Sequence, residues 1–391
     1  METQVYSRPK LIWRNLLFFA FTTITALIGC PLYVIHYGVS ASVIALTAFF
    51  MVATGMSITV GYHRLFSHVT YKAHPVVRFL LLFFGAAAFQ QSALEWSSQH
   101  RDHHRYVDTD RDPYDIKKGF FYAHIGWLIF WEHVVDFDNA HDLAKDPVIM
   151  HQDKNYFAWC ITAGVVTPVL IGALMGHALA AFLFAVCLRI TLVYHSTFCI
   201  NSVCHMFGTS TYDPDSTAKD NWISALATNG EGYHNFHHRF PSDYRNGVRW
   251  YHFDPSKWLI VALSQLGLAW DLKQVSDFRI LAARLYGENQ RVTRALALLQ
   301  KHEAEKLQAQ LIWTQRYETV RRNLTEWQSQ FESYQVMIRE RVTDTSRDLQ
   351  VTARSKMKAA QKQFKLTHSQ WKELARKHPA ILQGLLLSGV S

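Results

Sequence analysis

Four long apolar runs set the first limit on this chain. Leu11–Ile35, Ala41–Val60, Phe157–Met175 and Ala178–Ile200 are each close to the ~20 residues a helix needs to cross a bilayer. Lipid offers the backbone no hydrogen-bond partner, so such runs must be helices paired internally. The chain is therefore expected to be an all-α integral membrane protein, with spans at about 11–35, 41–60, 157–175 and 178–200. The joins His36–Ser40 and Gly176-His177 are short, which makes two tight hairpins. Arg8, Lys10 and Arg14 put the starting end on the cytoplasmic face. The first run is too long for a secretory leader and no small-residue cleavage site follows it.

Val76–Leu94 is also apolar, but it carries Arg78, Gln90 and Gln91, which are costly in lipid. It is expected to be interfacial or re-entrant. Phe120–Trp131 is short and aromatic and suits an interfacial helix. Arg189 falls inside the fourth run and should face a protein interior.

The polar chemistry is dominated by histidine. His100, His103 and His104 sit at i, i+3 and i+4, which places three imidazoles on one helix face. His234, His237 and His238 repeat that spacing, and His63 and His68 form an earlier pair. Five residues is too far round an α-helix for His63 and His68 to share a face, so they are expected to straddle a helix end. Asn201 and His205, one helical turn apart, follow the fourth run; His205 is a further candidate ligand and Asn201 a candidate for holding a metal-bound water. The carboxylates of Asp108–Asp112 could orient ligand histidines through their second ring nitrogen. The nine histidines 63, 68, 100, 103, 104, 205, 234, 237 and 238 exceed the four ligands of one zinc and suit two metals. The ligand set alone leaves Zn, Cu, Fe or Mn open. These residues also fix the crossing count. His68 and His100 must reach one site, and the 31 residues between them are too few for two crossings.

The last third differs in kind. Residues 288–378 contain no Gly or Pro and are densely charged. The expected domains are 1–275 as the membrane catalytic domain, 276–290 as a connector and 291–391 as a helical, basic extension. Trp313, Tyr317, Val320, Leu324, Trp327, Phe331, Tyr334 and Ile338 alternate by four and three, a heptad seam. It suits a coiled coil, a partner helix or docking on the catalytic domain. Residues 351–378 hold eight Lys/Arg against Glu373 alone, which suits anionic lipid or a solvated face. The net charge of +9 fits anionic lipid or a phosphate-bearing substrate. No nucleic-acid motif is present, and the five cysteines form no CxxC pattern or disulfide framework.

The order HxxxxH, HxxHH, HxxHH, with Gly61-Tyr-His-Arg-Leu-Phe-Ser-His, Glu95-Trp, Lys117-Lys-Gly-Phe-Phe, Asn201-Ser-Val-Cys-His and Gly230-Glu-Gly-Tyr-His-Asn-Phe-His-His, resembles membrane fatty-acid desaturases of the Δ9 acyl-CoA, stearoyl-CoA-like type. The match covers about residues 10–275. The resemblance implies four membrane helices under a cytosolic cap in the bacterial inner membrane or endoplasmic reticulum. It implies two irons held by the nine histidines, with Asn201 reaching iron through water. It implies O2-dependent removal of one hydrogen from each of two adjacent methylenes of an acyl chain held in a bent apolar tunnel. No catalytic side chain beyond the di-iron centre is expected. Lys117 and Lys118 match a basic pair that meets CoA phosphates, and Trp96 is a further candidate substrate contact. Animal acyl-CoA desaturases carry Arg-Asp where Ser98-Gln99 stand here, which leaves acyl-lipid and acyl-carrier-protein substrates open. No His-Pro-Gly-Gly haem motif is present. The electron carrier is therefore expected to be a separate protein of ferredoxin, rubredoxin or cytochrome b5 type. A related di-iron hydroxylase or ketolase is the alternative. A metal transporter fits less well, because its ligands would lie at mid-bilayer.

Overall fold

The computed structural model describes residues 10–130, 135–298, 303–339 and 345–377. Two compact units form: the first from residues up to 210 together with 215–274, the second from 211–214 and 275 onward.

The first unit is mostly helical. Among the described residues, four helices are long and apolar enough to cross a membrane: α1 (Trp13–Tyr37), α2 (Ala41–Ser67), α6 (Tyr156–Leu174) and α7 (Ala178–Met206). Between α2 and α6 lie α3 (Pro75–Ala86), α4 (Ala93–Tyr106) and α5 (Pro147–Lys154). α8 (His234–Arg239) and α9 (Pro255–Gln265) follow α7. A two-residue antiparallel ladder pairs Lys72 with Trp270 and Ala73 with Ala269.

Two spans outrun their expected ends. α2 continues from 60 to Ser67 and α7 from 200 to Met206. Hydropathy falls at Gly61 and Asn201, but burial carries α2 on to Ser67, and α7 resumes as Val203–Met206 after a turn at Ser202.

α3 has 12 residues and is about 18 Å long, too short to cross. Pro75 starts it at a position needing no N–H partner, with the His74 side chain accepting from Val76 N–H. Beyond its end the backbone turns back through Phe89 (φ 59°) and Gln91 (φ 74°). α7 pins this turn. Arg189, fully buried, donates to the carbonyls of Ala87, Ala185 and Gly164. The Tyr194 hydroxyl donates to Phe89 O, and the Gln90 amide to Thr197 Oγ1 at 3.0 Å. Arg189 thus satisfies the Ala87 carbonyl left open by the turn, together with the Gly164 carbonyl of α6. The aromatic stretch at 120–131 is two short helical segments, Tyr122–Gly126 and Trp127–Phe130; Trp131 lies outside the described residues.

The second unit packs α10 (Asp277–Ala297), α11 (Glu303–Arg339) and α12 (Thr345–Lys377) around Leu285, Val292, Trp313, Leu324, Phe364 and Trp371. α11 and α12 run antiparallel, with Trp313 against Trp371 and Trp327 against Phe364. Of the expected connector 276–290, residues 277–290 lie in α10 and Ser276 is its N-cap. The buried seam residues Trp313, Val320 and Leu324 are covered by α10 and α12 of their own unit, while Ile338 is exposed. Among the expected extension, 299–302, 340–344 and 378–391 lie outside the described residues.

Candidate metal centre

Nine imidazoles converge in the first unit as two groups: His63, His68, His100, His104 and His237, and His103, His205, His234 and His238. α4 contributes to both. Ser92 caps it by accepting from Glu95 N–H at 3.1 Å, and the N-terminal Glu95 and C-terminal basic residues both suit the helix dipole. Its one histidine face divides, with His100 and His104 in one group and His103 in the other.

His63 and His68 straddle a helix end as expected: the helix stops at Ser67 and His68 is its C-cap. Residues Ser57–Ser67 wind as a π-helix, and His68 N–H bonds His63 O at 3.1 Å. The wider turn brings residues five apart together, with ring centroids 4.9 Å apart.

The ring nitrogens face one another closely. Nε2–Nε2 separations are 2.8 Å for His63–His237 and His68–His100, and 2.9 Å for His104–His237. They are 3.0 Å for His234–His238, 3.1 Å for His205–His234 and 3.2 Å for His103–His238. The opposite nitrogens of some rings are engaged elsewhere, while His234 Nδ1 and His237 Nδ1 are buried with no hydrogen-bond partner among the described residues. His103 Nδ1 donates to Asp112 Oδ1 at 2.8 Å, and His205 Nδ1 to Thr217 Oγ1 at 2.8 Å. Thr217 passes its hydroxyl proton to Asp108 Oδ1 at 2.5 Å, and its N–H to Oδ2 at 2.9 Å. Glu231 Oε2 lies 2.9 Å from His63 Nδ1. Where Nδ1 carries the proton, Nε2 is a lone pair, so close Nε2 pairs would repel unless a cation lies between them. Burial, reinforced by neighbouring imidazoles, holds the pKa values of His68, His100, His104, His237 and His238 well below the usual range. Burial takes His234 down to about 3. These six rings are therefore neutral, as ligands must be.

These separations test the fit to a metal. With a metal–nitrogen bond of about 2.1 Å, they correspond to ligand–metal–ligand angles of about 85–100°. A tetrahedral pair would stand about 3.4 Å apart at that bond length. Two groups of five and four imidazoles, without thiolate, thus suit metals of higher coordination number than structural zinc.

Behind His63, Glu231 is shared with Arg64 Nη2 at 3.0 Å and Asn246 Nδ2 at 2.6 Å. Arg64 also reaches Asp254 Oδ1 at 3.0 Å and the carbonyl of Tyr244 at 2.8 Å. Burial alone would raise the Glu231 pKa, but His63 and Arg64 bring it to about 2.

A cavity of about 590 Å³ opens beside the cluster. Its wall is mainly apolar, with Phe18, Phe89, Tyr194 and Phe198 among the lining, and it reaches His63, His100 and His234. Asn201 and Trp96 also line it, and Trp96 stacks on His100 with centroids 4.9 Å apart. Gln99 is in the wall, whereas Ser98 turns away to donate to Asp136 O at 2.6 Å. Lys117 and Lys118 are exposed on a 3-10 turn and are not in this wall. Lys117 Nζ donates to Asp108 O, and Lys118 lies over the Tyr122 ring.

Sequence reasoning named Asp112 and Asp108 correctly as candidate orienting groups but missed Thr217, which no local pattern marks. Glu231 stands within the Gly230-Glu-Gly-Tyr-His motif, where no role was assigned to it.

Residues 40–268 match the family profile described as fatty acid desaturase. The chain is 43% identical over 230 residues to a probable acyl-CoA desaturase of Schizosaccharomyces pombe, covering 58% of this chain and 48% of that protein. It is 40% identical over 259 residues to acyl-CoA desaturase 1 of Saccharomyces cerevisiae, covering 66% and 51%. Against a Delta(9)-fatty-acid desaturase of Caenorhabditis elegans the identity is 36% over 277 residues, covering 69% and 81%. The chain spans about half the length of the two yeast relatives. Since the profile covers more than half of the chain and the nematode relative is matched over most of its length, this chain belongs to the fatty acid desaturase family.

Proposed function

We propose that this protein is an O2-dependent fatty acyl desaturase that introduces a cis double bond, at Δ9, into a saturated acyl chain. The observation carrying this is the apolar cavity whose wall includes ligand-type histidines of both groups. An unactivated methylene has neither an acidic proton nor a leaving group, so acid–base chemistry does not reach it. A pair of irons held by the nine histidines, with O2 and two external electrons, supplies the oxidant this chemistry needs.

The side chains have separable tasks in this reading. His63, His68, His100, His104 and His237 hold one iron; His103, His205, His234 and His238 hold the other, with Asn201 placed to hold a water. Asp112, Thr217 and Glu231 fix ring orientation. Phe18, Phe89, Tyr194 and Phe198 exclude water and align the acyl chain, and Trp96 packs its reacting segment against His100. Lys117 and Lys118 meet the phosphates of an acyl-CoA outside the cavity. Acyl-CoA is favoured because the relatives matched over most of this site carry that name. The four apolar helices cross the bilayer, the metal centre lies in a cap on its cytosolic side, and a separate carrier protein delivers electrons.

The test is lipid profiling with double-bond localisation in cells expressing wild type or His103→Ala, alongside iron content of purified protein. A new Δ9 monoene lost in the variant is expected. Iron-loaded wild type that yields only a hydroxylated acyl product would replace this reading with the related hydroxylase. Absence of any new lipid would overturn both.

A further inference from the structure

The second unit presents a basic arc that the catalytic reading does not use. On α12, Arg354, Lys358, Lys362, Lys365, Lys372 and Arg376 are all exposed. At 100° per residue they fall within an arc of about 80°, on the far side of the helix from buried Ala353, Phe364 and Trp371. The arc runs about 33 Å along the helix. Spacings of three and four stack like charges on one another, which destabilises an isolated helix. Among the described residues none of the six forms an ion pair within 4.0 Å. Glu373 beside the arc is the one acid of 351–377. On α10, Glu288 feels Lys372 together with Arg284 and Arg291, so that neighbour adds more positive than negative charge. Val351, within the arc, and Leu366, at its edge, are 67% and 52% exposed.

We infer that this face of α12 lies on the surface of an anionic lipid bilayer. Clustered lysine and arginine with exposed apolar residues on one helix face is the composition of an interfacial helix. The same chain carries four apolar helices of membrane-crossing length, so its tether holds the second unit within reach of a bilayer at high effective concentration. A solvated face would have no need to segregate cations from acids; this helix places six on one side. The inference goes beyond the desaturase reading and does not rest on it.

The test uses the full chain in vesicles of phosphatidylcholine alone or mixed with phosphatidylserine. An environment-sensitive fluorophore is placed at Ser369→Cys, which is exposed within the arc, and wild type labelled in parallel provides the background. The expected result is blue-shifted emission and shielding from a soluble quencher only with phosphatidylserine, reversed by high salt. Each charge contributes roughly fivefold, so Lys358→Gln, Lys362→Gln and Lys365→Gln together should lower the partition constant roughly a hundredfold. Gln keeps helix propensity, and unchanged circular dichroism verifies the fold. Lys356→Gln, off the arc, should match wild type. Equal emission in both lipids, or a shift that survives the triple substitution, overturns the inference. So does equal protection in phosphatidylcholine by soluble RNA or an acidic protein, which would make the face a general anion surface.

Discussion

Thr217→Val removes one hydroxyl and almost no volume, and it tests how the four-histidine group is held. In wild type the hydroxyl accepts from His205 Nδ1–H at 2.8 Å and donates to Asp108 at 2.5 Å. Valine leaves the His205 N–H facing a methyl group. A metal-free ring escapes by moving its proton to Nε2, but a ligand ring must keep it on Nδ1. The cost of an unpaired buried donor, about 1–3 kcal/mol, therefore falls on the metal-bound state alone. That corresponds to about 5- to 150-fold weaker binding at one of two sites, in line with the effect of other groups that orient ligands. Metal content after dialysis against graded chelator should show one metal lost early and the other retained. Thr217→Ser, which keeps the hydroxyl, should behave as wild type. Chelator titrations of Thr217→Val that overlay wild type within a factor of about two would refute the argument.

Other substitutions test separate parts of the frame. A Cβ at Gly85 would stand 2.3 Å from the ring of buried Tyr62, so Gly85→Ala should destabilise by about 1–3 kcal/mol and visibly lower the melting temperature in detergent. At Gly164 a Cβ would lie 2.4 Å from Phe89, which lines the cavity; Gly164→Ala should push that ring inward and shift the product profile to shorter acyl chains. An unchanged profile would remove Phe89 from any role in chain length. Arg189→Met orphans the carbonyls of Ala87 and Gly164, each costing about 1–3 kcal/mol, so folded yield should collapse and Arg189→Lys should recover part of it. In metal-free protein the folded His234 pKa of about 3 lies below the usual 6.5. The unfolded chain then binds more protons, so this stability is complete above pH ~6.5 and is lost as pH falls toward 3. Melting temperature should drop over that window, and a rise would contradict the burial of neutral imidazoles.

Apolar runs were legible because hydropathy is a local property. Their ends were not, because Gly61–Ser67 and Asn201–Met206 are polar in sequence yet buried or paired in place. The His63–His68 spacing placed the pair across a helix end, as found, but hid how closely the two rings meet. An α-helical wheel separates residues five apart, and nothing in Ser57–Ser67 announces a π-helix. The heptad seam was plain, but periodicity names a face rather than its partner. Here that partner is supplied by α10 and α12. Lys117 and Lys118 were read from a motif, and motifs carry no depth: both sit at the surface, away from the cavity wall. The Asp108–Thr217–His205 chain joins residues more than 100 positions apart, which no spacing rule reaches.

The charges around the cluster explain why it suits a metal rather than a proton. Six of the imidazoles, those of His68, His100, His104, His234, His237 and His238, are held neutral by burial and carry no charge of their own. Asp108, Asp112, Glu231 and Asp254 lie beside or behind the cluster, with Arg64, Arg101 and Lys219 among the cations near its rings. The carboxylates alone would favour protonated imidazoles, yet burial dominates and keeps the six rings neutral. A proton on one Nε2 would pair with a single neighbouring nitrogen and leave the remaining lone pairs of the set facing one another. A metal ion meets every condition at once: it accepts several lone pairs together, tolerates nitrogens about 3 Å apart, and is balanced by carboxylates acting through Nδ1. The carboxylates would thus stabilise a bound cation without occupying its coordination positions, leaving those positions to imidazole and to the face open on the cavity.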